Sequence, residues 1–275
     1  MQKINYALIV SDFDGTLARS DHEVSEKTKA LITQYVADGG KFAISTGRMP
    51  AGILPRAKEL GLVGAVCCAQ GSVIVDIQSE EILLEGRIPN DVAVTICEKM
   101  EERGLHIHVY DLWEYYSNMD DDYLAYYEAV IKAKAILIQD KPISKFVKES
   151  GLCPVKILAM VDPKDNERIR LELEKEELPG CDVTRSSPIL VEVGNAAYSK
   201  GTSVEFLANR YGVDMKKTIA IGDQTNDLSM IQTAALGFAV SNADEILKVH
   251  AICFEKSNDE DAVAEIIKRY GYTED

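Results

Sequence analysis

The residues able to do chemistry gather in four short stretches. Ser11-Asp12-Phe13-Asp14-Gly15-Thr16 follows an apolar run, Tyr6 to Ser11, that reads as a buried strand. Two carboxylates two residues apart on a turn, with Gly15 able to take an unusual backbone conformation, can face a single point. Such a pair invites a hard divalent cation, which takes oxygen ligands and offsets their mutual repulsion. Gly222-Asp223-Gln224-Thr225-Asn226-Asp227 repeats the arrangement after a second apolar strand, Ile219 to Ile221. Ser45-Thr46-Gly47-Arg48, at a third strand end, supplies a hydroxyl, an accessible backbone amide and a cation. Lys200, in Tyr198-Ser199-Lys200-Gly201, opens a helix, where its charge opposes the dipole and needs a carboxylate or phosphate nearby.

Each stretch alone has an ordinary explanation: a solvated acidic turn, a helix neighbour favoured by its charge, a solvated lysine. A calcium loop is a further alternative for the first, since Glu23 stands twelfth counting from Asp12. It fails because Leu17 occupies the position that needs glycine and the preceding element reads as a strand. Together the stretches mean more. Neighbouring parallel strand ends would gather four carboxylates in one crevice, an arrangement costly without a cation.

The elements that must position these residues alternate between strand and helix, which favours a parallel sheet covered on both faces. Ser25 caps a helix that stops at Gly39-Gly40; Lys41 to Ser45 is a strand and Pro50 to Leu60 a helix. Val63 to Ala69 and Ser72 to Asp76 follow as strands, with Ile82 to Leu84 pairing back. A second series begins at Ser199: helix Thr202 to Tyr211, strand Thr218 to Ile221, helix Asp227 to Ala235, then Leu236 to Val240, Ala243 to Val249, Ala251 to Phe254 and Asp259 to Tyr270. The stretch between differs in texture, holding Trp113, most of the tyrosines and a charged helix over Asp162 to Glu177. Leu105 to Tyr110 alternates apolar residues with His106, His108 and Tyr110, the period of a half-buried strand. Val155 to Val161 and Cys181 to Ser186 read as further strands, so the insertion is expected to be an α/β domain with one exposed sheet face.

Composition sets the outer bounds. The chain has 275 residues, 46% hydrophobic and 27% charged, the profile of a soluble globular protein with room for two domains. A net charge of −15 argues against a nucleic-acid partner and against anionic lipid surfaces. The first apolar run, Ala7 to Val10, is too short for a secretory signal, and no run reaches the ~20 residues that span a membrane. Six cysteines without CxxC spacing read as reduced thiols, and the expected location is cytoplasmic.

Four motifs together resemble, in order and spacing, the haloacid dehalogenase-like phosphatases, specifically the Cof-type branch with an inserted α/β cap. They are Asp12-Phe13-Asp14-Gly15-Thr16-Leu17, Ser45-Thr46-Gly47-Arg48, Ser199-Lys200-Gly201, and Gly222 to Asp227 followed by Leu228-Ser229-Met230. Phe238 to Ala243 and Ser257 to Asp261 resemble the family's late loops. Gln70-Gly71-Ser72 departs from the usual Asn-Gly-Ala, and Ala262 from a usual glycine.

The resemblance implies a Rossmann-like core over residues 1–84 and 189–275, with an inserted cap over 85–188 that governs substrate choice. It implies that Asp12 attacks phosphorus to give an aspartyl-phosphate, and that Asp14 protonates the leaving oxygen and then activates water. Mg2+ would be held by Asp12, the Asp14 carbonyl and Asp223, with Asp227 in the same metal site. Thr46, Gly47 and Lys200 would bind the phosphoryl group, Arg48 would reach substrate beyond it, and Asn226 would support the metal site or orient Lys200. Related ATPases carry threonine where this chain has Asp14, so the resemblance favours hydrolysis of small phosphorylated metabolites, sugar phosphates foremost. A phosphomutase sharing the nucleophile is the alternative, and a non-catalytic regulatory protein a remoter one. Substrate contacts are sought on His106, His108, Tyr110, Trp113, Tyr115 and Tyr116. Monomer and homodimer stay equally open.

Overall fold

A computed structural model describes residues 3–131 and 133–273, with the backbone alone for Ser186, so the outermost ends of the expected ranges lie outside it. The chain opens with β1 (Leu8–Asp12), α1 (Glu26–Ala37), β2 (Lys41–Ser45), α2 (Pro50–Glu59), β3 (Ala65–Cys68), β4 (Val73–Asp76) and β5 (Ile82–Glu85). The middle run contributes α3 (Asn90–Glu101), β6 (His106–Tyr110), β7 (Tyr115–Ser117), α4 (Asp122–Ile131), β8 (Ile136–Leu137), α5 (Ile143–Ser150), β9 (Lys156–Met160), α6 (Asn166–Glu174), β10 (Cys181–Ser187) and β11 (Leu190–Asn195). The last run holds α7 (Lys200–Tyr211), β12 (Thr218–Gly222), α8 (Leu228–Thr233), β13 (Leu236–Ala239), α9 (Glu245–Lys248), β14 (Ile252–Cys253) and α10 (Ala262–Ile266).

Two compact units result: Met1–Gly47, Ile53–Leu84 and Ser199–Asp275 form the first, Arg48–Gly52 and Glu85–Tyr198 the second. The first is an eight-stranded sheet in the order β14-β13-β12-β1-β2-β3-β4-β5, with helices on both faces. Its central strands run parallel, and β4 turns back antiparallel on β3. The apolar runs read as buried strands are buried, with Leu8, Ile9, Val10, Ile219 and Ile221 inaccessible to solvent. Ser25 caps α1 as its side chain suggests, accepting from the Thr28 N–H. The β1 register is what matters for chemistry: Ser11 lies opposite Ile221 and Asp12 opposite Ser45, so three of the four motifs leave the sheet at adjacent strand ends.

The second unit is a six-stranded sheet in the order β10-β11-β9-β6-β7-β8. Here the structure departs from expectation three times, first in that Arg48–Gly52, expected with residues 1–84, fall in this unit. Residues 189–198, placed by the sequence with the first unit, follow β11, which pairs with β9 and β10, into the second. The face carrying His106, His108 and Tyr110, expected to be open, is buried on all three residues. Alternation reports sidedness, and both sides of β6 are covered. Ile107 and Val109 pack with Ile96, Met100, Val147 and Leu173 from the helices. On the other side, Tyr115 and Tyr127 each bring their rings within 5.1 Å of the His108 ring.

Most buried polar groups on that face find partners among themselves, His108 Nδ1 excepted. His106 Nδ1 meets an Asp121 carboxylate oxygen at 3.1 Å and His106 Nε2 meets His108 Nε2 at 3.0 Å. Tyr110 donates to the Tyr127 hydroxyl at 2.7 Å, and Lys156 pairs with Glu192 at 3.2 Å, both nearly solvent-free. Of the aromatic residues proposed for substrate contact, Tyr115 is buried, Tyr116 packs on Phe146 at 4.6 Å, and Trp113 is 48% exposed. All six cysteines are free thiols.

Candidate active site

Asp12 terminates β1 and Asp223 follows β12, so the parallel pairing of these strands puts both carboxylates at one end of the sheet. Asp12, Asp223 and Asp227 each offer an oxygen within 4.8 Å of the others, and all three are buried. Lys200, the first residue of α7, inserts its ammonium into this group, donating to Asp12 Oδ1 and to Asp227 Oδ1 at 2.6 Å each. Its position is fixed from below: Ser199 and Thr202 form a reciprocal cap at the start of α7, and Ser229 accepts from the Gly201 N–H at 3.1 Å. The lysine that opposes a helix dipole thus has its local reason. Two carboxylates hold it.

Asp227 has a second task. Its other oxygen accepts the backbone N–H groups of Asp223 and Gln224 at 2.9 and 3.0 Å, so it shapes the loop while it orients Lys200. Asp223 is set by Thr16, which donates to it at 2.8 Å, and by Gln224 at 3.2 Å. Gly15, at φ +81°, lies so close that a Cβ there would sit 2.5 Å from Asp223 Oδ2. A side chain at position 15 would therefore displace a carboxylate of the cluster as well as strain the turn.

Thr46 is buried just beyond the end of β2, its N–H given to the Cys67 carbonyl at 2.8 Å. The Thr46 amide is therefore spoken for. Asn226 donates to Gln70 Oε1 at 3.2 Å. Asp14 has an exposed side chain and is not one of the three clustered carboxylates. Arg48 belongs to the second unit, where its charge bears on Tyr127. Of the residues singled out in the sequence, then, the first unit gathers Asp12, Asp223, Asp227 and Lys200 around one point. Thr16, Gln224, Ser229 and Gln70 support that point and were not singled out for it. Thr16 lies inside the first motif, and a hydroxyl directly after the Asp-Gly turn was the available signal.

The electrostatics follow from the count of charges. Burial pushes the Asp12 carboxyl well up; Lys200 opposes the shift, and Asp227 and Asp223 reinforce it. Asp223 rises to about 6, chiefly through burial, with Thr16 pulling the other way. Burial alone would lower Lys200, but Asp12 and Asp227 outweigh it and hold the ammonium above its ordinary value. Three carboxylates against one ammonium leave an excess of buried negative charge. The donor set is all oxygen, which suits a hard divalent cation, and Asp12, Asp223 and Asp227 could hold one. Cys67 is not a rival nucleophile: burial pushes its thiol up to about 12.

A family model described as haloacid dehalogenase-like hydrolase matches residues 9–267. The chain belongs to this family of hydrolases. Among solved structures, a haloacid dehalogenase-like hydrolase from Bacteroides thetaiotaomicron is 31% identical, with a TM-score of 0.83 over 96% of this chain and 99% of that one. A Haemophilus influenzae protein, named provisionally as a phosphatase, is 29% identical over 96% of this chain and 97% of its own length. A Bacillus subtilis relative, 26% identical over 96% of this chain and 97% of its own, is named a 5-amino-6-(5-phospho-D-ribitylamino)uracil phosphatase. As a haloacid dehalogenase-like hydrolase, the chain carries its three buried carboxylates and Lys200 on the sheet common to the family.

Proposed function

We propose that this hydrolase is a Mg2+-dependent phosphatase of small phosphorylated metabolites, working through an aspartyl-phosphate on Asp12. The observation that carries the reading is the Lys200 ammonium held at 2.6 Å from both Asp12 and Asp227, with Asp223 in the same buried group. A lone nucleophilic carboxylate would be repelled by a phosphate dianion; beside a fixed ammonium it is not. Asp12 and Asp223, with the Asp14 carbonyl, would hold Mg2+, whose role there is to screen the carboxylates and the phosphoryl oxygens from each other.

A carboxylate oxygen of Asp12 attacks phosphorus in line, forming an acyl-phosphate bond as the bond from phosphorus to the leaving oxygen breaks. Asp14, whose side chain is exposed, gives its proton to that oxygen and so releases an alcohol. The carboxylate it becomes then takes a proton from water as the water attacks phosphorus, freeing inorganic phosphate and restoring Asp12. Thr46 and Lys200 hold the phosphoryl oxygens through both steps, and Asp227 keeps Lys200 in place.

The second unit, with Arg48, is assigned the choice of leaving group. Sugar and polyol phosphates are the favoured class, supported by the phosphorylated ribityl chain in the name of the Bacillus subtilis relative. Release of inorganic phosphate from a panel of phosphorylated metabolites, measured with Mg2+ and with EDTA, tests the reading. Phosphorus NMR of the products distinguishes hydrolysis from transfer within a sugar, and transfer without phosphate release would overturn it.

A further inference from the structure

The connection between β3 and β4 runs through three consecutive residues at positive φ: Ala69 at 47°, Gln70 at 57° and Gly71 at 101°. Only the last is a glycine. Two residues with side chains held in the left-handed region call for surroundings that fix them there. The surroundings are the catalytic loops themselves. Gln70 donates its N–H to the Thr46 carbonyl at 3.2 Å. Its Nε2 lies 2.6 Å from where a Cβ on Gly47 would stand, so the carboxamide lies directly against the Gly47 backbone. Its Oε1 accepts from Asn226 Nδ2 at 3.2 Å. Gly71 abuts the start of α7, where a Cβ would fall 2.2 Å from the Ser199 carbonyl, one residue before Lys200.

One short turn therefore meets the Thr46–Gly47 loop, the Asp223–Asp227 loop and the helix that carries Lys200. The decisive asymmetry lies on Asn226. Its Oδ1 is buried without a hydrogen-bond partner, and among the described residues its carboxamide makes one hydrogen bond, to Gln70. Nothing else in the described structure fixes the plane of that amide. We propose that Gln70 is a positioning residue of the reaction, its carboxamide holding Asn226 in the geometry that phosphoryl transfer requires. The proposal rests on the phosphatase reading above.

A double-mutant cycle tests it, in the full-length chain with Mg2+ and the best phosphomonoester from the panel. Gln70→Met keeps the length of the side chain and removes the carboxamide, so the space stays filled. Loss of orientation at a transfer site lowers kcat with little change in KM, here by about 10- to 100-fold. Asn226→Ala lowers kcat similarly. Because Gln70 is argued to act through Asn226, Gln70→Met added to Asn226→Ala lowers kcat no further. Unchanged thermal unfolding of Gln70→Met separates this from a folding defect. Wild-type kcat in Gln70→Met would show that shape alone matters, and losses that multiply in the double variant would show independent action; either overturns the proposal. A wild-type chain that releases phosphate from no substrate overturns the phosphatase reading first, a result distinct from an active wild type insensitive to Gln70→Met.

Discussion

Both units bury charge, and they do so on opposite terms. The first gathers three carboxylates around one ammonium, leaving negative charge uncompensated. The second sets Lys156 against Glu192 and stacks histidine and tyrosine side chains whose polar atoms largely serve each other. Burial of polar groups by itself says little about function, since any core can hold a satisfied network. Imbalance says more. A buried cluster with more carboxylates than ammonium groups, two of them pushed up by burial, is one that a cation would relieve.

The sharpest way to break that comparison is to remove the nucleophile. Asp12→Asn should cut Mg2+-dependent hydrolysis of p-nitrophenyl phosphate by about 10^4-fold while the far-UV circular dichroism is kept. Retained turnover would take the function out of the cluster. In the second unit the equivalent test is on stability. Lys156→Met takes a buried partner from Glu192 and should cost about 3–5 kcal/mol in urea unfolding, followed by the fluorescence of Trp113, the single tryptophan. Adding Glu192→Leu should recover most of the loss, because a balanced pair can be exchanged for apolar groups. An Asp12→Asn variant gains nothing of that kind.

Acidity separates the units further. Asp223 has its folded pKa raised from 3.8 to about 6, so in metal-free protein its contribution is complete below the lower value and disappears as pH rises through the upper one. The loss is on the order of 3 kcal/mol. Thermal unfolding in EDTA should therefore weaken between about pH 4 and 6, and saturating Mg2+ should abolish that slope. His108 moves the other way: burial, reinforced by His106 and Lys156, depresses its pKa. Asp121, Tyr110, Tyr115, Tyr127 and Glu192 are the other titratable groups around this network. Protonation is favoured in the unfolded chain, so stability is present above pH 6.5 and is lost as pH falls below it. The Trp113 signal should report this effect, and a second unit equally stable at pH 5 and 7 would remove the contrast.

The first unit could be read from its sequence because three of its four motifs sit where an apolar run stops. Asp12, Asp223 and Thr46 are recognisable one at a time, and β1 between β12 and β2 does the assembling. What could not be read was which side chains tie the loops together. Thr16 on Asp223 and Gln70 on Asn226 span 207 and 156 residues, and no local pattern encodes such reach. The second unit was less legible for a different reason. The alternation of β6 separates two faces, and it does not say that α4 and β7 bring Tyr127 and Tyr115 over one of them. Likewise no strand was expected over Leu190–Asn195, although Gly194 pairs with Lys156 within the sheet.

The place of β1 in its sheet also bears on how the protein is made. The strand carrying Asp12 is synthesised well before one of its two neighbours, Thr218–Gly222, which comes about 200 residues later. At ~5–20 residues per second, that gap corresponds to roughly 10–40 s of translation. During this interval the nascent chain carries Asp12 without Lys200, whose codon lies 188 positions downstream. The segment Glu85–Tyr198 is continuous and can form its own sheet meanwhile. The catalytic end of the sheet is thus the last part to close, and no truncated ribosomal product that stops short of β12 can carry the activity.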